Sequence, residues 1–107
     1  PGGITAISAM AFSDNRLTGV TIPSSVTVIE GNAFSFNEIS AVVIPDSVRE
    51  IKKGAFGDNP LTSITIGSDV VLHKTAVPHG FAGFYNHKKV GKKAGTYVFD
   101  NFAWTIR

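Results

Sequence analysis

Leu17-Thr18-Gly19-Val20-Thr21-Ile22-Pro23, led in by Ala11-Phe12-Ser13-Asp14-Asn15-Arg16, returns 22 positions later as Ile39-Ser40-Ala41-Val42-Val43-Ile44-Pro45 behind Ala33-Phe34-Ser35-Phe36-Asn37-Glu38. It returns once more as Leu61-Thr62-Ser63-Ile64-Thr65-Ile66-Gly67 behind Ala55-Phe56-Gly57-Asp58-Asn59-Pro60. A fixed period of this length is the mark of a solenoid, in which each unit buries its apolar face against the next. Such a chain is built to present a surface, and its residues do not say which molecule that surface meets.

Pro1-Gly2-Gly3-Ile4-Thr5-Ala6-Ile7 aligns with Pro23 to Ile29 and with Pro45 to Ile51, so the frame is P-x-x-[VI]-x-x-I-x-x-x-A-F-x-x-N-x-[LI]-x-x-[VI]-x-I. Its second half has the spacing of a leucine-rich-repeat strand, whose first, fourth and sixth positions point inward. The phrase A-F-x-x-N-x-L-T-x-V-x-I-P resembles the BspA-like (Treponema pallidum type) leucine-rich repeat family. Members often carry Cys where this chain has Asn15, Asn37 and Asn59. The expected fold is therefore mostly β, an α/β-type leucine-rich repeat solenoid. It has three 22-residue coils (1–22, 23–44, 45–66) with a parallel strand ladder.

The inward set of the first coil is Ile4, Ile7, Ala11, Phe12, Leu17, Val20 and Ile22, and the next two coils repeat it. Phe12, Phe34 and Phe56 should form an internal column with roughly 4.8 Å between coils. The three Asn residues stand before each strand, where an amide can satisfy the backbone of a recurring turn.

After Gly67 the frame decays: His73 falls where Ile29 and Ile51 stood, and Pro78 where a Phe was due. Residues 68–107 are read as a degenerate repeat followed by an irregular cap. Residues 79–89 place Phe81, Phe84, Tyr85 and Lys88 at helical spacing. Thr96 to Phe99 and Phe102 to Ile106 read as a hairpin about Asp100-Asn101. This tail, with F-x-x-x-Y from Phe81, then G-K-K-A-G-T-Y and a late Trp, is similar to tails of treponemal family members. The boundary also divides the charge. Residues 1–67 carry Arg16, Arg49, Lys52 and Lys53 against six carboxylates; beyond them stand Lys74, Lys88, Lys89, Lys92, Lys93 and Arg107 against Asp69 and Asp100.

At 107 residues and 43% hydrophobic content the chain can bury one small core. It has no Cys, which excludes disulfides and thiolate metal sites. Because residue 1 is Pro, a processed or excised piece is expected, and its open first coil is a place where two copies could pair. The pI is near 9.2 with a net charge of only +2, and no nucleic-acid partner is expected.

No chemistry emerges from the motifs. His73, His79 and His87 share no helical face, so no metal or other cofactor is expected. Gly91-Lys92-Lys93-Ala94-Gly95-Thr96 lacks the first Gly and the Ser or Thr of a phosphate loop. No G-x-S-x-G elbow exists. Glu50, beside Arg49, reads as half of a solvated ion pair. A non-catalytic protein-binding module follows, with a spacer or assembly unit as the alternative. Its candidate binding residues are Gly19, Thr21, Ala41, Val43, Ser63 and Thr65 on the concave strands. Tyr85, Lys88, Lys89, Lys92 and Lys93 in the tail could attract a polyanion. The family resemblance implies a secreted or cell-surface bacterial adhesin that binds host extracellular matrix or other cells.

Overall fold

The computed structural model describes residues 4–87 and 90–107. Two ladders run along the solenoid. The first joins β1 (Ala6–Ile7), β2 (Val28–Ile29), β4 (Glu50–Ile51) and β6 (Val71–Leu72), all parallel. The second joins β3 (Ala41–Val43) in parallel to β5 (Ser63–Ile66). It continues antiparallel through β7 (Gly95–Asp100) and β8 (Ala103–Ile106). In the early rungs paired residues lie 22 apart, as Ile7 with Ile29 and Val43 with Thr65. The sequence pattern foresaw the second ladder; the first, from the P-x-x-V-x-x-I half, adds a second wall.

Between these walls the apolar positions meet their own copies. Phe12 stacks on Phe34 at 5.4 Å and 7°, and Phe34 on Phe56 at 5.3 Å and 10°. Val26, Ile29, Ala33, Ile39, Ile51, Ala55, Phe56, Leu61 and Ile64 are fully enclosed. Asn37 joins neighbouring coils: its Oδ1 accepts from Asn15 N and Leu17 N at 3.0 and 2.9 Å, and its Nδ2 donates to Phe12 O at 2.8 Å and Phe34 O at 2.9 Å. Asn59 repeats this one coil later, accepting from Ile39 N at 3.0 Å and donating to Phe34 O and Phe56 O. A carboxamide carries both donors and an acceptor, so one side chain fills turn groups that would otherwise be orphaned.

The first coil departs from the expected pattern. Only Ile7 and Ile22 of its inward set are buried; Leu17 and Val20 are half-buried, while Ile4, Ala11 and Phe12 are exposed. No strand forms over 17–22, because Arg16 turns left-handed at φ +57° where Glu38 does not. Among the described residues, one backbone bond, Glu38 N to Leu17 O at 2.8 Å, joins 17–23 to 38–45.

At the other end the repeat persists with a slip. Leu72, not His73, pairs with Ile51, because the chain has one residue fewer between Val70 and Leu72 than between Val48 and Ile51. Phe56 N donates to Ala76 O at 2.8 Å as Phe34 N does to Ala55 O at 2.7 Å. Val77 thus takes the place of the missing Phe and is buried.

The cap closes this end with rings. Helix α1 covers Phe81–Asn86, shorter than the 79–89 expected, because His87 turns extended at ψ 142°; Lys88 and Lys89 lie outside the described residues. Phe81 meets Tyr97 at 5.0 Å and Trp104 at 4.8 Å, both edge-on. The hairpin turn is Asn101-Phe102, one residue later than expected, with φ +50° and +63°. Two left-handed residues suit the right-handed twist of a two-residue hairpin. They leave Phe102 96% exposed at the tip.

Asn37→Ala should cost about 3 kcal/mol or more, since several buried backbone groups lose their partners. Asn15 is exposed, and Asn15→Ala should cost under about 0.5 kcal/mol. Denaturant melts of the two variants test this; equal midpoints would remove the amide ladder from the account.

Candidate binding surface

The outward positions of the second ladder make a strip of small, uncharged side chains, edged by Asp100 at the hairpin end of β7. Ala41 lies beside Ser63 and Val43 beside Thr65. The tail hairpin then extends both rows, with Thr96 next to Thr65 and Val98 next to Ser63. Thr105 follows Val98. The Thr65 and Thr96 hydroxyls share a hydrogen bond of 2.9 Å, which fixes the seam between repeat and hairpin. Val43 stands proud at 64% exposure. A β-branched row on a pleated sheet keeps few rotamers and so loses little entropy when covered.

The structure brings the candidates Ala41, Val43, Ser63 and Thr65 into one sheet and sets beside them Thr96, Val98 and Thr105, which the sequence analysis did not include. Their alternation marks a hairpin, yet nothing local shows that β7 docks antiparallel on β5. Gly19 and Thr21 are exposed but lie in the unpaired first coil, so the structure does not bring them into the sheet.

The tail residues divide differently. Tyr85, expected at the surface, is fully buried. Its hydroxyl donates to Gly67 O at 2.6 Å and accepts from Val70 N at 3.0 Å, tying α1 to the last coil. Lys93 is exposed and its carbonyl accepts from the Tyr97 hydroxyl, while Lys92 is half-buried and left-handed at φ +54°. Glu50 meets His73 at 2.6 Å rather than Arg49.

Burial pushes the Tyr85 phenol above its usual value; the bond from Val70 N–H opposes this and the Asp69 charge adds to it. Tyr97 is raised by burial, then by Tyr85. Both phenols therefore stay protonated and able to donate.

No His, Asp or Glu group among the described residues could hold a metal ion, and no helix there is long and apolar enough to cross a membrane. Stacked parallel rungs, an internal Phe column and a C-terminal cap define a leucine-rich-repeat solenoid. The model of the BspA type leucine rich repeat region (6 copies) matches residues 1–90, and the chain belongs to that family. It is a non-catalytic protein-binding scaffold. Comparison with curated proteins and with solved structures finds no match.

The chain's two tyrosines are Tyr85 and Tyr97, so alkaline titration isolates the cap. Because the folded values are raised above 10.0, their contribution to stability is complete below that pH and is lost as pH rises through the raised values. Tyrosinate absorbance should stay flat past the usual range and then rise together with loss of ellipticity. Ionisation of either phenol in the intact fold near its usual value would contradict the burial.

Proposed function

We propose that the chain is an adhesive module of a secreted or cell-surface bacterial protein, docking a protein of the host matrix or of another cell on the strip of β3, β5, β7 and β8. The observation behind this reading is the strip itself, a run of small uncharged side chains over adjacent strands with Asp100 as the one carboxylate at its hairpin edge among the described residues. The treponemal resemblance of the tail supports the compartment. Such a strip measures roughly 14 Å by 17 Å from strand spacing and rise, well below the roughly 800 Å² that each partner contributes to a stable complex. A single module therefore binds weakly, and affinity grows by repetition of coils or of modules. Lys92 and Lys93, next to the start of β7, aid encounter with an acidic partner.

A second reading is assembly through the open first coil, favoured by Asn15. Asn37 and Asn59 reach back to the preceding coil, whereas the Asn15 side chain makes no such bond among the described residues. The same coil holds an apolar cavity of about 340 Å³ whose lining includes Ile4, Phe12, Leu17 and Val20. The cap covers the other end, so two copies would meet open end to open end, a closed two-fold arrangement.

Val43→Glu should abolish binding to immobilised matrix proteins, and raised salt should weaken the wild type only a few-fold, since uncharged contacts are hardly screened. Undiminished binding by Val43→Glu would remove the strip. Sedimentation equilibrium tests the second reading: a dimer lost on Phe12→Glu supports it, and a monomer at high concentration ends it.

A further inference from the structure

We infer that the cavity between the fourth turn and helix α1 binds an acidic sugar, a pyranose ring bearing a carboxylate or a sulfate. The cavity holds about 400 Å³ and is lined by Lys74, Thr75, Val77, Pro78, His79, Gly80 and Gly83. That size falls within the range of small-molecule sites. A Cβ built on Gly80 or Gly83 meets nothing within 4 Å, so a ligand can approach the backbone there.

His79 is fixed in place. Its ring lies flat on Phe99 at 4.1 Å and 3°, and its carbonyl accepts the Trp104 indole N–H at 3.0 Å. Its backbone is left-handed at φ +61°, a conformation that the stack and the indole bond hold. No described residue bonds its ring nitrogens, which leaves the exposed imidazole free to meet a ligand.

Charge selects an anion. Lys53 and Lys74 hold the same place in successive turns, closed by Ala55 N to Lys52 O at 3.1 Å and by Ala76 N to His73 O at 3.0 Å. Nearby acids are already engaged, Glu30 with Lys52 at 3.2 Å and Glu50 with His73 at 2.6 Å. Lys53 and Lys74 thus have no ion-pair partner among the described residues, and no carboxylate lines the cavity. Of the two, Lys74 lines the cavity, and an anion bound there meets a positive charge that no carboxylate of the lining offsets.

The rest of the lining favours a sugar over an acidic peptide. A pyranose has an apolar C–H face to set against Pro78 and the imidazole, and hydroxyls to meet the Thr75 side chain and open backbone. An acidic peptide would use the two lysines but leave a compact, partly apolar cavity unfilled. This site shares no residue with the strip, so it stands or falls separately from the adhesive reading.

The test is titration of the whole chain with D-glucuronate, glucose 6-sulfate, glucose and an oligoglutamate peptide, followed by backbone amide shifts in NMR. At least one charged sugar should shift amides of residues 74–83, with glucose about tenfold weaker or silent. Whichever charged sugar responds identifies the acidic group. Lys74→Gln, at an exposed position, should weaken binding about tenfold, and His79→Phe should keep the stack on Phe99 yet weaken it as well. Val43→Glu should bind sugar like the wild type. Silence of both charged sugars, equal response to glucose, full binding by Lys74→Gln, or tighter binding of the peptide at these amides would each overturn the assignment.

Discussion

The carboxamide of Asn37 belongs to two coils at once. It accepts from Asn15 N and Leu17 N in one coil and donates to Phe34 O in its own, from an almost fully buried position. That bond set works only if successive coils stand at strand spacing and in one register, which is also what the parallel ladders need. The Phe column obeys the same constraint, with centroids 5.4 and 5.3 Å apart. Polar and apolar layers therefore enforce one repeat distance, and an insertion on either side of Asn37 would break both. Cysteine at this position would offer one weak donor and acceptor in place of the amide's several. Asn at positions 37 and 59 is therefore a choice for hydrogen bonding.

Periodicity made the middle of the solenoid legible, since three aligned copies report which positions share one environment. It could not report the ends, because an end is defined by a missing neighbour. Phe12 and Phe34 occupy the same frame position, yet Phe12 is 44% exposed and Phe34 1%. The slip at Val70–Leu72 was hidden for a related reason: a rigid 22-residue frame assigns Ile51's place to His73, and only ladder pairing shows that one residue has dropped out. Tyr85 was misread because helical spacing gives a face but not what covers it. The outward strip was legible on β3 and β5 but not on β7 and β8, whose pairing spans some thirty residues of chain, as from Thr65 to Thr96.

The two ends solve the same problem differently. At the C-terminal side, the frame loses its Phe and the chain supplies a cluster of rings from α1, β7 and β8. Tyr85 and Trp104 add polar tips that bond Gly67 O, Val70 N and His79 O. Aromatic side chains suit this work because each buries a large area with few rotatable bonds. At the first coil, among the described residues, apolar side chains such as Ile4, Phe12 and Leu17 line a cavity instead.

That asymmetry bears on how so small a scaffold holds a partner. The hairpin does two things with one backbone: its inward residues Tyr97 and Trp104 seal the core, while its outward residues Thr96, Val98 and Thr105 widen the strip begun by the coils. Alternation along a strand makes this possible, since neighbouring side chains serve opposite faces. A substitution that loosens the cap therefore also deforms the strip, through the Thr65–Thr96 bond at their seam. Loss of binding alone would not place a residue in the interface; the fold must be shown intact first. Val43 separates the two effects, because it is exposed, lies on β3 two strands away from the cap, and its neighbours Val42 and Ile44 carry the core.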